Sequence, residues 1–194
     1  MAEFIAFNPN VKAKGQHILG FVNFMRKGRK KRLEILKKHG IEPRVDGWYP
    51  IQAWLDALKG LSQEIGDLNL FLVGKSIIES ADFPPMKGLY EALTSINIAY
   101  HMNHQLDGEL MFNLKTGDML EGIGHYKVVS FDYTSRAAVM ECKNPFPTKL
   151  DEGLLYKMVE KFKPEDSTFH EVKVDSTKEQ RPQGADSCTY LISW

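Results

Sequence analysis

KNPFPTKLDEGLLYKMVEKFKPEDSTFHEVKVDSTKEQRPQGADSCTYLISW, residues 143–194, is the stretch whose reading decides the fold. Pro145 and Pro147 fix φ and bias the residues before them toward extended backbone, so no helix runs through the opening loop. A helix is predicted to start near Asp151. Its apolar residues Leu150, Leu154, Leu155, Met158, Val159 and Phe162 recur at three- and four-residue steps, and Pro164 stops it. Thr168–Val174 and Ser187–Ser193 then read as strands joined through the turn Gly184-Ala185-Asp186. In the second strand Cys188, Tyr190 and Ile192 share one face.

Working outward, the preceding segment supplies a hairpin. His125–Phe131 and Arg136–Cys142 are two strand candidates around Asp132-Tyr133-Thr134-Ser135. Before them, Met86–Gln105 is the longest helical candidate, with Leu89, Leu93, Ile96 and Tyr100 forming its apolar stripe and His101 and His104 on a neighbouring face. Ile51–Ile65 and Asp67–Ser80 read as two further helices, ended by Phe83-Pro84-Pro85. Arg44–Pro50 reads as a loop crowded by Trp48, Tyr49 and Trp54, a density suited to anchoring helices. Nearer the N-terminus, Gly28 separates a helix built on Ile18, Leu19, Val22 and Met25 from a second at Arg29–His39, which Gly40 terminates. Phe4–Phe7 reads as a short extended stretch, broken by Asn8-Pro9-Asn10. The sum is α+β: a helical N-terminal half packed on a small antiparallel sheet, with a helical segment at 1–85 and an α+β ligand-binding domain at 86–194.

With 194 residues, 43% of them hydrophobic, the chain can bury a sizeable core. No apolar run reaches the roughly 20 residues that span a bilayer, and the N-terminus lacks a signal peptide's order, so the expectation is a cytoplasmic protein. Cys142 and Cys188 are accordingly expected as free, buried thiols. The zero net charge hides an asymmetry. Residues 11–45 hold eleven Lys and Arg against two Glu, so the remainder carries nine net negative charges. Such a run reads first as a solvated helix face, and second as a surface for an acidic partner protein at Arg26, Lys30, Lys31 and Arg32. Nucleic acid is disfavoured, because no aromatic stacking platform accompanies the charges.

Catalytic motifs are absent: there is no glycine-rich dinucleotide loop, Walker loop, His-Glu-x-x-His, Cys-x-x-Cys or Gly-x-Ser-x-Gly elbow. The chain therefore reads as a non-enzymatic binding protein with a largely apolar pocket between the 86–105 helix, the 150–162 helix and the sheet. Tyr100, His104, Phe131, Cys142, Met158 and Tyr190 are the candidate lining residues. His101 and His104 also make haem a candidate cofactor, since an imidazole can serve as an axial ligand.

Asn144-Pro145-Phe146-Pro147, Asp151-Glu152-Gly153-Leu154-Leu155 and the closing run Gly184–Trp194 together resemble the C-terminal signature of the four-vinyl reductase domain family. The wider superfamily includes haem nitric-oxide/oxygen sensors and trafficking-complex subunits of the TRAPP type. This resemblance, over residues 86–194, implies an α+β ligand-binding fold, frequent homodimerisation and roles as small-molecule sensors upstream of signalling. Zinc-binding members are similar in carrying Cys-x-x-x-Gly-x-x-x-Cys, a preceding acidic residue and a remote cysteine. Here Gly184 and Cys188 match, while Gln180, Thr177 and Thr148 stand at the other positions, so no metal is expected. Tyr133-Thr134-Ser135-Arg136 resembles the Tyr-x-Ser-x-Arg motif that holds haem propionates in the gas sensors, with its arginine one residue early.

Overall fold

The structure is a computed structural model that describes residues 3–24 and 27–194. In chain order the elements are β1 (Val11–Lys14), α1 (Gly15–Asn23), α2 (Arg29–Lys38), β2 (Trp48–Pro50), α3 (Ile51–Glu79), α4 (Leu89–Met102), β3 (His104–Leu106), β4 (Glu109–Leu110), β5 (His125–Asp132), β6 (Ala137–Lys143), α5 (Thr148–Phe162), β7 (Glu171–Val174) and β8 (Cys188–Ser193). A single 3-10 turn lies at Arg181–Gln183.

The C-terminal unit follows the sequence expectation. Strands β5-β6-β8-β7 form an antiparallel sheet in that order, with Cys142 opposite Cys188 and Met140 opposite Tyr190. Ala138, Met140, Cys142, Cys188, Tyr190 and Ile192 point into the core, because alternate residues of a strand share a face. Both cysteines are free thiols. A bulge between Val128 and Ser130 re-registers β5 before the hairpin turn.

A second sheet corrects the expectation of one. Strands β2-β1-β3-β4 pair antiparallel, with Ala13 opposite Tyr49 on one side and His104 on the other. This sheet joins residues on both sides of position 85. Trp48–Pro50 is thus a strand rather than part of a loop, while the expected extended stretch Phe4–Phe7 joins neither sheet. The helix expected over Met86–Gln105 is shorter at both ends. Asn103 ends it with φ −93° and ψ 8°, and its side-chain amide bonds the Ala99 carbonyl at 2.8 Å, the local competition for backbone that makes asparagine a helix stop.

The two helices expected at 51–65 and 67–80 are the two arms of α3, which meet at a kink at Gly66, where φ of 75° and ψ of 171° are non-helical. Helices α3 and α5 then cross at a glycine pair. A Cβ on Gly74 would strike the Leu150 carbonyl, and one on Gly153 would strike the Phe71 carbonyl. Only the missing side chains let the backbones approach so closely. Among the described residues, no helix is long and apolar enough to cross a membrane.

Candidate functional site

The interior holds two polar centres. The first sits where the 144–147 loop meets the start of α5. Asp151 and Arg181 are fully buried and pair at 2.7 Å. The Asp151 carboxylate also accepts from the Tyr126 hydroxyl at 2.6 Å and the Asn144 amide at 2.9 Å. Arg181 donates to the Asn144 backbone carbonyl at 2.8 Å and to the side-chain carbonyl of the same residue. Burial works against the Arg181 charge, yet the adjacent Asp151 carboxylate outweighs it and holds the guanidinium well above its ordinary pKa. Burial likewise drives the Tyr126, Tyr190 and Cys142 values upward, with Asp151 adding to each. The Cys142 thiol is therefore a poor nucleophile.

Positions 148 and 188, named for the zinc-binding pattern, come together at this centre. The Thr148 hydroxyl lies 3.4 Å from Cys188 Sγ, and the Arg181 backbone N–H donates to the same sulfur at 3.4 Å. The Tyr190 hydroxyl closes the arrangement by donating to the Thr148 carbonyl at 2.8 Å. Gln180 instead exchanges capping bonds with Gln183. Among the described residues, no group of three or more His, Cys, Asp or Glu side chains converges as metal ligands do.

The second centre is aromatic and built on α4 and β3. Tyr100 is buried near the end of α4; its hydroxyl donates to the Ile123 carbonyl at 2.7 Å, and burial raises its pKa. Its ring meets His104 edge-on at 4.8 Å, Tyr126 at 5.2 Å and Phe146 at 6.1 Å. His104 Nδ1 lies 2.8 Å from the Tyr100 carbonyl. A carbonyl can only accept, so Nδ1 carries the proton and Nε2 is left with a bare lone pair. That Nε2 is buried without a partner. Burial holds His104 neutral, lowering its pKa to about 3, and does the same to His17 of α1, to about 4. His17 packs 6.2 Å from Phe146.

Of the six residues singled out from sequence, Tyr100 and His104 touch at this second centre. Cys142 and Tyr190 lie beside the Asp151–Arg181 pair, and Met158 is buried on α5. Phe131 sits 4.9 Å from Trp194 and 5.3 Å from Tyr90, in a separate aromatic group. His101 is also buried, its ring edge-on to Tyr100 at 5.6 Å and its Nδ1 2.8 Å from the Asn97 carbonyl. Sequence reasoning missed His17, Tyr126, Asp151 and Arg181, which no spacing links.

Tyr133-Thr134-Ser135-Arg136 is the β5–β6 turn. Asp132 accepts from the Thr134 N–H and the Ser135 hydroxyl, each at 2.8 Å, and Arg136 pairs with exposed Asp166 at 2.5 Å. None of these four side chains reaches the His104 centre. In the basic segment, Arg26 lies outside the described residues. Arg32 is buried, its Nε donating to the Val22 carbonyl at 3.1 Å and Nη1 to that of Lys27 at 3.0 Å, so this arginine is turned inward rather than toward a partner. Lys30 stays exposed, and exposed Lys31 pairs with Glu64 at 3.2 Å. An open groove of about 660 Å³ adjoins this helix, its rim carrying Lys37, paired with Glu42 at 3.6 Å, and Arg44.

A haem tests the second centre in two respects. The donor fits, since an orphaned neutral imidazole nitrogen in a buried site is what an axial ligand requires. The space does not fit: the cavity bordered by Tyr100, Val11, Ile51 and Ile123 holds about 10 Å³, room for one water, against the 300 Å³ or more of sites for larger ligands.

No family model matches the chain, and no curated protein does. Solved structures do. An H-NOX protein from S. oneidensis in its Fe(II)NO state superposes with a TM-score of 0.59 at 12% identity, over 93% of this chain and 98% of that one. The IWP-051-bound H-NOX domain of Shewanella woodyi in its Fe(II)CO state gives 0.55 at 17%, over 92% and 93%. A structure from work on haem redox potential and porphyrin distortion gives 0.59 at 17%, over 93% and 99%. At such identities the likeness establishes the α+β fold alone.

Proposed function

We propose that this chain is a non-enzymatic sensor domain whose ligand is met by His104 Nε2. The single observation that carries the proposal is that buried, unpartnered nitrogen, oriented by the Tyr100 carbonyl in a fold shared with haem-containing sensors. An unsatisfied buried acceptor costs about 1 to 3 kcal/mol, and a ligand that supplies a donor or a metal relieves that cost. Of the chemistries consistent with an apolar, aromatic surround, haem is the better supported, because the solved neighbours include Fe(II)NO and Fe(II)CO states. An apolar molecule held mainly by shape is the second reading, favoured by how tightly Tyr100 and Phe146 close on the imidazole. A haem would need the void of about 10 Å³ to open, and would then be held by His104 and supply gas-binding iron chemistry. This chain's residues would supply the axial nitrogen, its orientation and exclusion of water. Homodimerisation belongs to the proposal as well.

The test is a haemin titration followed by absorption, with native mass spectrometry of the protein as purified. A Soret band that shifts on binding in the wild type and is lost in His104→Ala supports the haem reading. A wild-type spectrum equal to that of free haemin, with a co-purified organic mass, would replace it with the second reading. A His104→Ala variant that binds every ligand as the wild type does would defeat the proposal outright.

A further inference from the structure

The N-terminal residues Glu3–Asn8 run over the interior as a strap, with Phe4 and Ala6 packed only partly buried against the core. Ile5 is 55% exposed and Phe7 37%. Polar tethers hold the strap as well. The Phe4 N–H donates to the Pro145 carbonyl at 2.8 Å. The Gln52 side chain clamps it twice, accepting from the Ala6 N–H at 2.9 Å and donating to the Phe4 carbonyl at 3.0 Å. Glu3 reaches α5, where one carboxylate oxygen accepts from the Thr148 N–H at 2.8 Å and its hydroxyl at 2.6 Å. Helix α5 has no side-chain cap at its own N-cap residue, Pro147, so this carboxylate serves the helix's exposed amides and its positive end. Phe4 is bent to φ 64°, a conformation a bulky side chain rarely adopts and that costs free energy.

Beneath the strap lies the one-water cavity. Its roof is Ala6, Phe7 and Asn8, and Tyr100, which meets His104 edge-on, forms part of its wall. We propose that Glu3–Asn8 is a displaceable cover, and that releasing it turns this void into the pocket through which a flat, largely apolar ligand reaches the Tyr100 ring. A cover whose side chains are only partly buried, held largely by hydrogen bonds and carrying one strained residue, opens at smaller cost than a cover held by fully buried side chains. Its closed population lowers apparent affinity by the fraction of molecules that are open. The proposal rests on the site reading above only for which interior is uncovered.

The test loosens the strap without touching the pocket, in the full chain, with Gln52→Ala and Glu3→Gln together. The ligand-independent readout is amide hydrogen exchange, where Phe4 and Ala6 should exchange about tenfold faster than in the wild type while Val11 and Ala13 of β1 do not change. The second readout is binding of the apolar aromatic dye 8-anilinonaphthalene-1-sulfonate, which should tighten about tenfold. That gain should vanish when Ile51→Phe is added to fill the pocket, which separates pocket entry from general loosening. Dye binding unchanged despite faster strap exchange overturns the cover, as does a gain that survives Ile51→Phe. Dye entry without haemin binding leaves the cover standing and defeats the haem reading alone.

Discussion

The two polar centres of this interior lie on either side of the 144–147 loop, and they are built by opposite rules. At Asp151 and Arg181 two charges, an amide and a phenol are joined by a dense network of hydrogen bonds in which Arg181 Nε alone lacks a partner, and the glycine crossing of α3 on α5 holds the backbone beside them. At His104 one nitrogen is left over, the neighbouring void holds a single water, and the roof is a strap. The first arrangement is a scaffold that resists change. The second has the incompleteness expected of a binding site, where unmet potential is what a ligand completes.

The largest test of this contrast is removal of one charge from the scaffold. Asp151→Ala leaves the Arg181 guanidinium buried and uncompensated, which costs about 3 to 5 kcal/mol. Thermal melting should fall by on the order of 10 °C, while Asp151→Ala with Arg181→Met should recover part of that loss. A drop of only a degree or two would remove the scaffold reading. Next in size is Gly153→Ala, whose Cβ meets the Phe71 carbonyl; overpacking of a backbone contact should cost about 2 kcal/mol in urea unfolding, against a slight gain if α3 can move aside.

Acid should act on the other centre. The folded state holds His104 far below the unfolded imidazole value, so the unfolded chain binds the extra proton. This contribution is complete above about pH 6.5 and is lost as pH falls toward about 3, at up to about 1.4 kcal/mol per pH unit. His17 adds in the same direction down to about 4, more weakly because its pKa is lowered less. Urea unfolding between pH 7 and 5 checks this, and a flat profile would contradict it. The smallest effect is expected from His104→Leu. It deletes the orphaned nitrogen, and the Tyr100 carbonyl keeps the Asn103 N–H at 3.2 Å, so stability should stay within about 1 kcal/mol and the acid sensitivity should shrink. A loss as large as that of Asp151→Ala would erase the contrast.

Much of the fold was legible because its C-terminal elements announce themselves locally. Leu150 to Phe162 repeat at helical steps, Cys188, Tyr190 and Ile192 alternate, and prolines mark the boundaries. The first sheet was not legible. Its strands are two to four residues long, too short for alternation, and they exist because Ala13 finds Tyr49 and His104 across intervening helices. His104 itself was drawn into a helix because the stripe of Leu89, Leu93, Ile96 and Tyr100 continues toward it, whereas Asn103 ends that helix one residue earlier. The scaffold pair is 30 residues apart in sequence and carries no motif. A buried ion pair is recognisable only once burial is known, and an orphaned nitrogen only once its neighbours are placed.

The most direct test of the account is the imidazole nitrogen-15 resonances of His104, followed by NMR from pH 8 to 4 and then on adding haemin or the co-purified ligand. The account predicts an Nδ1-protonated ring with a bare Nε2 that does not titrate above pH 4, and whose Nε2 signal alone moves strongly when ligand binds. An Nε2 that carries the proton, titrates near 6.5, or is indifferent to ligand would contradict it.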